Sequence, residues 1–183
     1  KGGDYIPTLD SAGYYVGYGG NSQDVLIPAF LAAYGSKDPH KVGLDPFPDI
    51  WHVLPNWRVT YDGLSKIPFL SKFLRSVTIS HSYRSSYSVG NYISNPFFMM
   101  NDQGFVDLTA IDMNGNFVPE NEIISVSINE QFSPLINIDM SWQNNLSTRF
   151  EIKKSRSLSL SLANNQLNEV SSSEYILGGG YRF

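Results

Sequence analysis

Between residues 76 and 89, apolar and polar side chains take turns. Val77, Ile79, His81, Tyr83, Tyr87 and Val89 alternate with Ser76, Thr78, Ser80, Ser82, Arg84, Ser86 and Ser88. A period of two predicts a β-strand with one apolar and one polar face. It is longer than the roughly 5–6 residues usual in soluble domains, and long enough for the roughly 9–11 that a membrane strand needs. The pattern recurs through Ile124, Val126, Ile128 and Phe132, then Ile136, Ile138, Met140 and Trp142. It continues through Leu146, Thr148, Phe150 and Ile152, then Leu158, Leu160 and Leu162, and last Tyr175, Leu177, Tyr181 and Phe183. Ser133-Pro134, Asn144-Asn145 and Lys154-Ser155 leave room only for tight turns, which predicts an antiparallel up-and-down meander of about seven strands. Residues 105–118 read as a separate hairpin turning at Asn114-Gly115. Asp107, Asp112 and Glu120 place that hairpin outside any membrane plane.

Residues 1–70 have another texture and form an irregular loop or insertion region, with the strands of the meander occupying 71–183. Pro7, Pro28, Pro39, Pro46, Pro48, Pro55 and Pro68 punctuate the first region, with turn-forming glycines between them. A short helix is predicted near 24–34, capped by Ser22 or Asp24 and stopped by Gly35, with Pro28 near its first turn. From Ser36 to Pro55 an ordered loop is expected, held by Leu44, Phe47, Ile50 and Trp51.

Composition sharpens this picture. The chain has 183 residues, 11 Tyr and 11 Phe, and only 16% charged residues, against about 25% in soluble domains. A membrane barrel explains this balance, because half of each strand faces lipid and half a polar lumen. In that geometry Arg84, Arg149, Glu151, Lys153 and Arg182 face the lumen and the apolar set faces lipid. Alternation alone fits a soluble sandwich equally, with the apolar set in its core. The longest apolar run, 25–34, is broken by Pro28 and is far short of the roughly 20 residues of a membrane helix. The chain opens at Lys1 without Met, as an excised or mature segment would, so a missing leader says nothing about export. Its closing Tyr181-Arg182-Phe183 reads either as an outer-membrane assembly signal, which ends in an aromatic residue, or as a strand cut at an arbitrary place.

Candidate chemistry is thin. Net charge is −4 and no basic run suggests nucleic acid; cysteine is absent, which removes disulfides and thiolate sites. His40, His52 and His81 are the only histidines, and His81 falls on an apolar face, as a packed side chain does. Gly17-Tyr18-Gly19-Gly20 lacks the context of a nucleotide loop. Asp38, His40, Asp45 and Asp49 read as turn formers before they read as cation ligands. Asp112, Asn114 and Asn116 imitate the start of a calcium loop, but Ile123 stands where its twelfth-position Glu belongs. No catalytic residue, cofactor site or metal site is expected, and no enzyme activity.

Several stretches are distinctive: DVLIPAFLAAY at 24–34, NWRVTYDGLSKIPFL at 56–70, FLRSVTISHSYRSSYSVGNYIS at 73–94, EQFSPLINIDM at 130–140 and KKSRSLSLSLANNQ at 153–166. In this order they resemble the SprA/Sov family, the outer-membrane translocon of type IX protein secretion in Bacteroidetes. The resemblance runs from about Asp24 to Phe183. It implies an all-β fold: an antiparallel meander segment of a large transmembrane β-barrel, whose largest known example has 36 strands. It implies location in the cell outer membrane and passage of folded cargo proteins bearing a C-terminal secretion domain, including the surface adhesins of gliding motility. Implied partners are a PorV-type shuttle protein, a periplasmic plug protein, and membrane lipid or lipopolysaccharide. The chain departs from the family in being far too short to close such a pore. Two alternatives remain open at this point. One is another outer-membrane barrel, such as a TonB-dependent receptor or a porin. The other is a soluble surface adhesin or carbohydrate-binding sandwich, stacking sugars on Trp51, Trp57 and Trp142.

Overall fold

A computed structural model of the chain describes residues 8, 9, 11, 13–38, 55–98 and 110–183. One helix, α1 (Gln23–Gly35), precedes five strands: β1 (Trp57–Tyr61), β2 (Leu74–Ser94), β3 (Asn121–Trp142), β4 (Leu146–Ser161) and β5 (Gln166–Tyr181). Short 3-10 turns at Gly63–Lys66 and Leu70–Lys72 join β1 to β2. The strands form one antiparallel sheet in the order β1-β2-β3-β4-β5, open at both edges, with Trp57 opposite Tyr83 and Tyr61 opposite Ile79. The expected all-β meander is therefore present, and it begins earlier than expected, with β1 inside the 1–70 region.

The strands are fewer and longer than the alternation suggested. β2 has 21 residues and β3 has 22. Two of the three expected tight turns are not turns: β3 runs straight through Ser133-Pro134, and β4 through Lys154-Ser155. The hairpins that do occur turn at Asn144-Asn145 and Asn164-Asn165. In each pair the second asparagine takes a positive φ, 63° at Asn145 and 53° at Asn165, a conformation asparagine tolerates better than most residues. Proline costs β3 one ladder donor, which is tolerable when so many other rungs remain.

The helix lies where expected, with two corrections. Pro28 is its sixth residue, past the first turn. The left-handed position at its end belongs to Ser36 (φ 49°), one residue beyond Gly35, and the Lys37 N–H closes the end on the Ala32 carbonyl. Ser22 is the N-cap residue without a side-chain capping bond.

The chain divides into two compact units. One comprises 1–52, 88–127 and 159–167. Its buried side chains include Ile27, Phe30 and Ala32 of α1, Ile123 and Val126 of β3, and Leu160 of β4. This corrects the lipid-facing assignment of Val126, which is 1% exposed. Gln23 docks α1 to β3: its side-chain nitrogen donates to the Asn121 carbonyl (2.8 Å) and its oxygen accepts from the Ile123 N–H (2.9 Å). That two-point contact imitates a neighbouring strand and satisfies a β3 edge. The other unit comprises 53–87, 128–158 and 168–183, with Leu74, Val77, Tyr83, Ile128 and Leu158 buried.

The expected turn at Asn114-Gly115 is formed, between Asp112 and Asn116; the loop residues expected around Leu44 to Trp51, His40 and His52, and the hairpin's 105–109 arm lie outside the described residues. Asp112 organises this turn. Its carboxylate accepts from the N–H groups of Asn114 and Asn116, both at 2.8 Å, and from the Asn116 amide at 3.2 Å. The turn is joined to the glycine segment near the N-terminus: Phe117 N–H donates to the Gly17 carbonyl at 2.8 Å, and Gly19 N–H to Asn116 Oδ1 at 2.7 Å. Gly17 (φ 86°) has to be glycine, because a Cβ there would lie 2.1 Å from the Phe117 ring.

Partial burial raises the Asp112 carboxyl, but the hydrogen bonds from Asn116 and Asn114 outweigh it and hold the pKa below the usual 3.8. A lowered carboxyl contributes stability above its unfolded pKa and loses it as pH falls through the folded value. Amide-exchange protection of Asn114 and Asn116 should therefore persist at pH 5 and fall away below about pH 4. In Asp112→Asn this step should vanish; an acid step of unchanged size there would contradict the assignment.

Candidate functional site on the polar face of the sheet

Arg149, Glu151 and Lys153 are spaced by two along β4, so all three project from one face. The structure brings them together in a chain of ion pairs reaching both neighbouring strands. Arg149 Nε lies 3.8 Å from Asp139 of β3, and its terminal nitrogen lies 2.7 Å from Glu151 Oε2. Lys153 Nζ lies 3.9 Å from Glu151 Oε1 and 3.5 Å from Glu174 of β5. Opposite charges on adjacent strands pin register as well as adding attraction. The central carboxylate is the most covered member: the Glu151 side chain is only 7% exposed, between its cationic partners, while that of Arg149 is 54% exposed. The arrangement presents guanidinium and ammonium groups outward over a buried anion.

The other two residues expected to share this face stand apart from the chain. Arg84 lies on β2, and Arg182 follows β5, where its backbone N–H bonds the Asn145 carbonyl at 3.2 Å.

A second charged group was missed by the sequence reading. Tyr83 Oη donates to Glu130 Oε1 (2.7 Å), Arg156 lies 3.9 Å from Glu130 Oε2, and Arg156 Nε donates to Glu169 (2.7 Å). These residues occupy the apolar register: Glu130 falls between Ile128 and Phe132, Arg156 two before Leu158, and Glu169 two after Leu167. The signal was present in that phase, but a charge in an apolar stripe resembles a turn when read without its partners. Beside this group the rings of Trp57 and Tyr83 stack at 4.5 Å, and Phe132 lies 4.8 Å from Tyr83. His81 packs among them, 6.0 Å from Phe132, with Nδ1 held 2.6 Å from the Leu135 carbonyl oxygen.

Both groups are networks of paired charge that link neighbouring strands. Among the described residues no three of His, Asp and Glu gather closely enough to hold a metal ion, and Asp112 is spent on its own turn. No helix among them is long and apolar enough to cross a membrane, which says nothing about strands. Compared with known proteins, the chain matches no family model and no curated protein.

Proposed function

We propose that this chain is part of the wall of an outer-membrane protein-conducting barrel of the type IX translocon kind, through which folded cargo proteins leave the cell. The observation that carries the reading is the pair of 21- and 22-residue strands in an open antiparallel meander. At about 3.3 Å per residue such strands extend about 70 Å. Tilted by about 45°, they still rise about 50 Å, well beyond a hydrocarbon core of about 30 Å. Strands of this length suit a wall that crosses the bilayer and continues into water.

The charge distribution supports the same reading. An Arg on the lipid face costs about 2–4 kcal/mol at the bilayer midplane and about 0–1 near its surfaces. Arg156, paired to Glu130 and Glu169 next to the Trp57–Tyr83–Phe132 rings, suits the interfacial level, where aromatic girdles sit. The Asp139-to-Glu174 chain suits a wetted lumen. In this reading, a PorV-type shuttle, a periplasmic plug and lipopolysaccharide are the partners.

An antibody raised against this segment tests the proposal on isolated outer membranes. A denaturing gel should show one band larger than the 20.5 kDa of this chain by about an order of magnitude, as the largest barrels require. A band near 20.5 kDa, or a signal confined to the soluble fraction, would overturn it.

A further inference from the structure

Three arginines of the sheet, Arg58, Arg75 and Arg84, form no ion pair among the described residues; Arg75 instead reaches the Asn145 amide oxygen at 3.5 Å, and the other two stand together. Arg58 of β1 stands opposite Ser82 of β2, and Arg84 follows two residues later on the same face. The two cations are thus diagonal neighbours on adjacent strands, within reach of each other for long side chains. Both residues are exposed, and neither forms an ion pair among the described residues, whereas Arg149, Lys153 and Arg156 all do. Like charges on neighbouring strands repel unless an anion stands between them.

Arg58 and Arg84 line a concavity of about 520 Å³ with Asn56, Ser82, Gln131 and Ser133, and among the described residues no acidic one lines it. That volume falls within the range of about 300–1,000 Å³ typical of small-ligand sites. Its polar groups lean toward donation. Asn56 Oδ1 is committed to the Ser85 N–H (2.7 Å), which leaves the Asn56 amide nitrogen to donate elsewhere. Gln131 adds a second amide. Two forked guanidiniums with neighbouring amide donors match the planar oxygens of a carboxylate or the oxygens of a phosphate.

We propose that the concavity between β1 and β2 binds an oxyanion group, carboxylate or phosphate, held by Arg58 and Arg84. The site rests on its own geometry and does not depend on the pore reading. The test is calorimetric titration of the 183-residue chain in detergent micelles with two probes, inorganic phosphate and a triglutamate peptide. Saturable binding of at least one probe is expected. It should weaken by about tenfold or more in Arg58→Gln and in Arg84→Gln, and by less in Arg84→Lys, which keeps the charge but loses the fork. Arg75→Gln, outside the concavity, should bind as the parent does. Circular dichroism of each variant checks that the strands remain, and the lysine variant serves if a glutamine variant loses them. Binding of phosphate alone identifies a phosphate-bearing ligand; binding of the peptide, with or without phosphate, identifies an acidic polypeptide. Binding of neither probe, or binding that survives both glutamine substitutions, overturns the proposal.

Discussion

Val126→Arg should abolish assembly of the sheet, while Ser127→Arg, one residue along and on the opposite face, should leave it nearly intact. Val126 is 1% exposed and belongs to the same unit as the buried Ile27, Phe30, Ile123 and Leu160. Arginine there forfeits about 1.5–3 kcal/mol of valine burial. It also places a guanidinium in a buried apolar site, which brings the loss beyond about 4 kcal/mol. Ser127 is half-buried on the polar face, where a long cation can reach water. The arginine pair alone does not separate a packed valine from a lipid-facing one, since both environments reject charge. Val126→Ala does. A packed valine loses about 2 kcal/mol, from transfer and from the space left behind. A lipid-facing valine loses little, because acyl chains are as apolar as the methyls removed and fill the gap. Urea unfolding midpoints in detergent measure the difference, and an unchanged midpoint for Val126→Ala would return this position to the lipid.

The same residue marks how far the sequence could be read. Alternation identified most of the strand-forming stretches and their two faces, because strand geometry enforces a period of two whatever covers each face, but not where one strand ends and the next begins. Alternation carries no information about the covering itself. Val126, Ile128, Leu158 and Leu160 have the spacing of a lipid-facing stripe and are nevertheless buried. Turns were legible only where the residue itself demanded one. Asn144-Asn145 reads correctly because asparagine suits a positive φ, and the identical pair Asn164-Asn165 carried the same signal for the β4–β5 hairpin. Ser133-Pro134 and Lys154-Ser155 misled because proline and lysine interrupt an apolar stripe without requiring the backbone to reverse. At the polar face, Arg149, Glu151 and Lys153 were found because they sit two apart on one strand. Their partners Asp139 and Glu174, and the Glu130–Arg156–Glu169 group, depend on which residues of neighbouring strands stand side by side. Register is a tertiary property, and one strand's sequence does not contain it.

The second large effect is expected at Glu151. Glu151→Lys should destabilise the sheet by about 3 kcal/mol or more, within the range for breaking a buried ion pair. The parent side chain is 7% exposed and separates Arg149 from Lys153; the variant would line up three cations on one face of β4, two of them at alternate positions from the third. Glu151→Gln should cost less, because the amide keeps the shape and can still accept from Arg149 at 2.7 Å while removing the charge. Arg149→Leu should also be costly, though less so than the reversal, since the Arg149 side chain is 54% exposed and water screens part of its interaction. A charge-swapped pair, Arg149→Glu with Glu151→Arg, tests pairing against mere bulk. If the chain of ion pairs acts as a strap, the double variant recovers part of the stability lost by either single change, and a coupling energy of at least about 0.5 kcal/mol remains in the cycle. Recovery should be incomplete, because the swap places a new carboxylate beside Asp139, 3.8 Å from the present Arg149 Nε. Strict additivity of the two substitutions would mean that Glu151 is held by burial alone. The ladder across β3, β4 and β5 would then carry no share of the register, and its outward cations would be free to serve whatever passes along the polar face.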